Sequence, residues 1–276
     1  MALQRNIIWL ASYPKSGNTW LRAFLTNYFI GGDGPLPLKD LGKLTESDCN
    51  AKRISEIAGQ DHRELDQPAI YRARQMYLAS LANRSKPTLV KTHNARGDVA
   101  GVEVIPVGIS KAAVYLVRNP LDMLISYADH MGTSVEVAAS NIADPRNIAP
   151  GSENQTVHFL GSWSAHVQSW LGGEGIPTQI LRYEDMLDRP EKSFAAAVKA
   201  IGAPFDTTRL TRAIEASGFE TLSRLEAEEG FGERSVAQER FFRKGKKDQW
   251  KETLPGAIVD RIVADHGDVM RFLKYL

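Results

Sequence analysis

The chain is expected to fold as one α/β domain over residues 1–276, with a central, mostly parallel sheet flanked by helices. Three observations predict this. Short apolar runs, each bounded by turn or charged residues, recur along the sequence. Segments with helical spacing lie between them. A length of 276 residues, 43% hydrophobic and 24% charged, is enough for one large core. Strands that alternate with helices build crossover units, which cover both faces of a sheet.

The apolar runs are Ile7–Ala11, Thr88–Val90, Ala112–Val117 and a less apolar fourth, Thr178–Leu181. Behind the first, Trp20, Leu21, Phe24, Leu25, Tyr28 and Phe29 fall on one helical stripe that Gly31-Gly32 ends. A second helix is predicted over Pro120–His130, with proline in its first turn. A third is predicted from about Asn154 to Leu171. A fourth, around Glu191–Ile201, puts Phe194, Val198 and Ile201 on one face and stops at Gly202. Residues 31–51, 94–110 and 143–153 are rich in Gly, Pro, Asp and Asn and read as loops. The densely charged segment 226–249 reads as a long mobile loop.

Composition narrows the chemistry. A net charge of +1 gives no global field toward nucleic acid or an anionic membrane, so any anion site must be local. The single cysteine, Cys49, rules out an intrachain disulfide framework and thiolate-rich metal sites. None of the six histidines sits in a metal-binding pattern. The N-terminal apolar run is too short for a signal-peptide core, and no stretch approaches the length of a membrane span. A cytoplasmic protein is expected, with no membrane or nucleic-acid partner.

Between the first strand and first helix stands Ser12-Tyr13-Pro14-Lys15-Ser16-Gly17-Asn18-Thr19-Trp20. A tight turn from a buried strand into a helix aims free backbone N–H groups at the turn, and the helix dipole adds positive potential there. Lys15 adds a full cation, and Ser16 and Thr19 add hydroxyls; together these make a phosphate cradle. The nucleoside-triphosphate pattern Gly-x-x-x-x-Gly-Lys-Ser/Thr is absent, because here the lysine precedes the glycine. Arg118 ends another strand, where ligands of open α/β sheets bind, although a salt bridge to Asp122 would also account for it. His93 follows Lys91 by two residues, on the same side of a strand. A nearby cation lowers a histidine's pKa and favours the neutral, base-competent ring.

Tyr-Pro-Lys-Ser-Gly-Asn-Thr-Trp resembles the 5′-phosphosulfate loop of the cytosolic sulfotransferases that use 3′-phosphoadenosine 5′-phosphosulfate (PAPS). The usual form has Thr where this chain has Asn18, which also offers a donor. The resemblance implies that Lys15, Ser16, Gly17, Asn18 and Thr19 hold the 5′-phosphosulfate. Arg-Asn-Pro-x-Asp-x-x-x-Ser resembles the family's 3′-phosphate motif at Arg118 and Ser126, the latter sharing the site only if its helix packs along the nucleotide. Phe242-Arg243-Lys244-Gly245, followed by Trp250-Lys251, resembles the segment that closes over the 3′-phosphate. Arg243, Lys244 and Gly245 carry over, whereas Lys247-Asp248-Gln249-Trp250 departs from the usual Gly-Asp-Trp. Tyr183 and the Ser217-Gly218-Phe219 element correspond to adenine contacts, as Ser217 and Phe219. Trp20 either stacks on the base or belongs to the core. Gly161-Ser162-Trp163 with His166, Val167 and Trp170 reads as helix packing rather than chemistry.

Lys91-Thr92-His93 resembles the family's catalytic segment. The resemblance implies a P-loop-like sulfotransferase fold and an enzyme that moves a sulfuryl group from PAPS to a small-molecule hydroxyl acceptor. His93 would serve as general base, with Lys15 and Lys91 stabilising developing charge, without a metal, and 3′,5′-ADP would be released. A phosphate-loop kinase would need the Walker lysine that is missing. A nucleotide sensor would be expected to have lost the base or the loop lysine, and both are present. Residues 31–86 match no family motif and, in these folds, help shape the acceptor pocket. No basic groove for a polyanionic glycan is evident, which favours a natural-product or xenobiotic hydroxyl. Lys251–Asp260 keeps only a lysine and an acid of the family's dimer segment, so the oligomeric state stays open.

Overall fold

The computed structural model describes residues 4–276. Strands β1 (Ile7–Ser12), β2 (Thr45–Ser47), β3 (Thr88–Thr92), β4 (Ser110–Val117) and β5 (Thr178–Arg182) form one sheet in the order β2-β3-β1-β4-β5. Every pairing in it is parallel, with Trp9 beside Val90 and Ala113, and Val114 beside Gln179. The four apolar runs read from the sequence are β1, β3, β4 and β5. β2 lies within the 31–51 segment read as loop. Its sequence, Thr-Glu-Ser, has no apolar run to announce it, because an edge strand of three residues needs none.

β1 alternates between two cores. Ile7, Trp9 and Ala11 belong to one buried cluster with Tyr115, Trp163 and Met270. Ile8 and Leu10 belong to the other, with Phe24, Leu116 and Phe194. The period of two thus places one helical layer on each face. Helices α1 (Asn18–Ile30), α8 (Pro190–Ala200) and α9 (Thr207–Ala216) cover the second core. The first core is covered by α3 (Gln67–Ala82), α4 (Pro120–Met131), α5 (Val135–Ala143), α6 (Trp163–Leu171) and α11 (Gly256–Phe272). Short helices α2 (Ala51–Ala58) and α7 (Tyr183–Asp188), and α10 (Phe219–Glu229), complete the set used below. No described helix is long and apolar enough to cross a membrane.

Two sequence expectations need correction. The helix predicted from about Asn154 starts at Trp163. Ser162 caps it by accepting from the Ala165 amide at 3.2 Å, and Gly161 before it has φ +64°. Residues 154–162 instead bridge to Asn50 and form a two-residue ribbon, His158–Phe159, against Ile148–Ala149. The segment 226–249 is not a free loop either. Residues up to Glu229 continue α10. The Glu226 carboxylate accepts from the amides of Phe241 and Phe242, and Asp122 accepts from those of Asp248 and Trp250. A charged segment reads as solvated until its acids are seen to cap its own backbone.

The edge of the sheet is fixed by a buried ion pair. Arg74 of α3 donates to Asp48, just after β2, and both side chains are 1% exposed or less. Thr92 and Asn94 donate to the same carboxylate oxygen, at 2.6 and 2.9 Å. Burial alone would raise the Asp48 pKa, but Arg74 and these bonds outweigh it and hold it below the usual range. Arg74→Ala leaves that carboxylate buried and unpaired. The expected loss is about 3–5 kcal/mol of stability, read as a lower denaturant midpoint, and a change under about 1 kcal/mol would contradict the pairing.

Candidate active site

The carboxyl ends of β1, β3, β4 and β5 open on one cavity of about 640 Å³. β1 is central, and the chain leaves it first toward β3 and later toward β4, so the crevice beside it is the ligand position expected of an open sheet. Each strand delivers its next residues there: β1 the loop 13–17, β3 His93, β4 Arg118 and β5 Tyr183.

The loop after β1 is shaped by two left-handed residues, Lys15 at φ +66° and Gly17 at φ +100°. Such alternation gathers successive backbone N–H groups into a concave anion seat, ahead of the positive end of the thirteen-residue α1. The Lys15 conformation is strained for a residue with a side chain. Lys15 Nζ and Ser16 Oγ are buried with no hydrogen-bond partner. Buried donors left unpaired are rare, and here Lys15 lines the cavity that an anion would fill, with Ser16 next to it in the same loop. The Lys15 ammonium lies 3.7 Å from the centroid of the Phe241 ring.

Gly17 leaves no room for a side chain: an added Cβ would sit 2.8 Å from the Tyr183 ring. Gly17→Ala forces the loop out of this shape. Affinity for 3′,5′-ADP is expected to fall at least about tenfold while the melting temperature changes little. Calorimetry checks it, and undiminished binding would mean that the loop is not the anion seat.

Arg118 connects the loop to the basic segment. It donates to the carbonyls of Lys15 and Lys246, both at 3.3 Å, and lies 4.3 Å from the Tyr183 ring centroid. Its Nε is buried without a partner. Asp122 does not pair with it, being taken up by the amides of Asp248 and Trp250. Ser126, two turns along α4, lines the same cavity, as do Trp20, Phe219, Arg243, Lys244 and Gly245. Gly245, at φ +60°, packs against the Phe219 ring so closely that no Cβ would fit. Trp20 answers both of its readings: it lines the cavity and packs edge-on against Tyr183 and Phe194.

Two predicted residues turn their side chains inward, although Asn18 still lines the cavity. Asn18 spends its amide donors inward, on the Leu10 carbonyl at 2.9 Å and Ser12 Oγ at 3.3 Å, so only its backbone serves the loop. Ser217 is fully buried and donates to the Ala213 carbonyl at 2.7 Å, one turn back in α9, and does not line the cavity. Position in a motif does not tell whether a small polar side chain turns in or out.

His93 sits on the cavity floor. Its Nδ1 is 2.8 Å from the Ser12 carbonyl, so that nitrogen carries the hydrogen and Nε2 keeps its lone pair. The carbonyl of His93 accepts from His166 Nε2 at 3.0 Å, and that of Asn94 from Trp170 Nε1 at 3.2 Å. α6 therefore clamps the strand end that carries His93, as its packing motif suggested. Burial, then the charge of Lys91 and the neighbouring His158, hold the His93 pKa well below its ordinary value. Lys91 is itself depressed by burial, although Glu233 opposes this.

Three cavity residues were not singled out from the sequence. His158 packs with its ring 5.8 Å from that of His93, and Gln155 lies within 3.0 Å of its Nε2. Glu233 reaches Thr19, Arg22 and Lys91. None lies in a pattern that spacing could flag, and His158 and Gln155 fell in residues read as helix.

The profile of the sulfotransferase domain family matches residues 5–271. Among curated relatives, the flavonol 3-sulfotransferase of Flaveria bidentis is 25% identical, covering 93% of this chain and 79% of its own length. Sulfotransferase 1A1 of Canis lupus familiaris is 23% identical over 95% of this chain and 82% of its own. The mouse sulfotransferase SULT7A1, solved in complex with PAP, shares the fold at a TM-score of 0.63 and 18% identity, with 97% and 85% of the two chains covered. With the family matched from end to end over a parallel sheet and a phosphate-type loop, the chain belongs to the sulfotransferase family.

Proposed function

We propose that the chain transfers the sulfuryl group of PAPS to a hydroxyl of a small-molecule acceptor, with His93 as general base and 3′,5′-ADP as product. The observation that carries this reading is the placement of His93 and Lys15 on one cavity, with a free Nε2 on the first and an unpartnered ammonium on the second.

The fit to an anionic nucleotide rests on orphaned donors. Lys15 Nζ, Ser16 Oγ and Arg118 Nε are buried without partners, at the loop and at the strand end expected to hold the two phosphate ends. His93 Nε2 takes the proton of the acceptor hydroxyl as its oxygen bonds to sulfur. The bond from sulfur to the bridging oxygen breaks, and the electron pair leaves with the 5′-phosphate. Lys15, the loop amides and Lys91 stabilise the charge that gathers there. Fixed cations and position supply the barrier reduction, as in phosphoryl transfer. PAP in two solved structures of the same fold supports the choice of nucleotide, and a flavonol in one relative's name supports a small hydroxyl acceptor. A relative named as cytosolic supports a cytoplasmic setting.

The test is incubation with PAPS and a panel of phenols and alcohols, following 3′,5′-ADP release without added metal. Acceptor-dependent release supports the assignment. Absence of both turnover and calorimetric binding of 3′,5′-ADP removes it.

A further inference from the structure

Glu233 has no role in the reaction described above, yet its carboxylate meets Thr19, Arg22 and Lys91 at once. Oε2 accepts from Thr19 Oγ1 at 3.2 Å and lies 3.7 Å from Lys91 Nζ, while Oε1 accepts from Arg22 at 2.7 Å. Thr19 belongs to the phosphate loop, and Lys91 is placed to meet the sulfuryl group. Burial alone would raise the Glu233 pKa, but Lys91, Arg22 and the bonds to Arg22 and Thr19 reverse this and hold it at about 2. The group is therefore an anion at every physiological pH.

The geometry points to Glu233 as an internal anion seated on the donor's cations, so that PAPS binds by exchange, displacing this carboxylate from Thr19 and Lys91. The inference rests on the donor site proposed above. A phosphosulfate and a carboxylate on the same hydroxyl and ammonium would stand only a few ångströms apart, and like charges that close repel even where the carboxylate is part-exposed.

The backbone allows the exchange. Glu233 lies between the end of α10 at Glu229 and buried Gln238, which bonds Asp129 and His130 of α4 at 2.6 and 2.9 Å. Gly230, at φ +72°, and Gly232 have no neighbour within 4 Å of a Cβ position. Val236, beyond them on the cavity rim, is fully exposed. A purely structural tether would use the buried Arg22 alone. The second oxygen is spent instead on a loop hydroxyl and a site lysine.

Calorimetry with 3′,5′-ADP and with PAPS on the full chain tests this. Glu233→Gln keeps the shape and removes the charge, and its dissociation constants are expected to fall at least about tenfold from the lost repulsion. The double variant Arg22→Gln/Glu233→Gln, which leaves no buried arginine unpaired, should tighten in the same direction. Wild-type binding that both variants leave unchanged or weaken overturns the exchange while keeping the donor site. No binding by any of the three proteins removes the donor site and the exchange with it.

Discussion

His93→Ala is expected to lower kcat by about 10²–10⁴-fold, with affinity for 3′,5′-ADP unchanged. The split follows from where the ring sits. Among the described residues, its close polar contacts are with Ser12, through Nδ1, and none is with a loop donor. Removing it leaves the phosphate cradle intact and takes away only the lone pair that accepts the acceptor's proton. The fold should tolerate the change, because α6 holds the strand end through backbone carbonyls rather than through the imidazole. Rapid-quench measurement of 3′,5′-ADP release, with calorimetry alongside, checks both halves. Retained turnover would remove His93 from the proton transfer and pass that role to its neighbour His158. The depressed pKa adds a pH signature. A base whose folded pKa lies well below 6.5 stays neutral throughout the physiological range, so the wild type should show no acid limb between pH 8 and pH 6.

Much of the scaffold was legible because it repeats simple periods. β1, β3 and β4 are buried parallel strands, which read as apolar runs, whereas β5 at the sheet edge is half-buried and reads as the weaker run. Gly17 was legible only as part of the loop motif, and its φ of +100° against the Tyr183 ring supplies the physical reason for a glycine there. What the sequence hid depends on contacts distant in the chain. β2 is an edge strand with no apolar run, and Glu233 meets Thr19 and Arg22 across more than two hundred residues. Asn18 and Ser217 show the limit of motif reading: each stands where a donor is expected, and each gives its hydrogen to a backbone carbonyl inside the protein. The 154–162 stretch failed because helical spacing was followed upstream past Ser162, whose capping hydroxyl starts α6.

The second large effect concerns Lys15. Burial lowers its pKa from the ordinary 10.5 to about 8; Asp129 opposes the shift, and Arg118 adds to it. The ammonium is useful only when charged, so the working form is present below about pH 8 and is lost as pH rises through that value. The ratio kcat/KM for PAPS reports the free enzyme and should fall about tenfold per pH unit above pH 8. In the nucleotide complex the phosphate oxygens return the proton to Lys15, so the alkaline limb of kcat alone should move to higher pH. Lys15→Ala should cost about 10²–10³ in kcat, the loss typical of one preorganised donor to developing negative charge, and should abolish the limb near pH 8. Lys15→Arg, charged at every accessible pH, should abolish the limb while keeping part of the rate. If that limb survives in both variants, the titrating cation is the other buried lysine of the site, Lys91, and the charge that meets the leaving phosphate comes from β3 rather than from the loop.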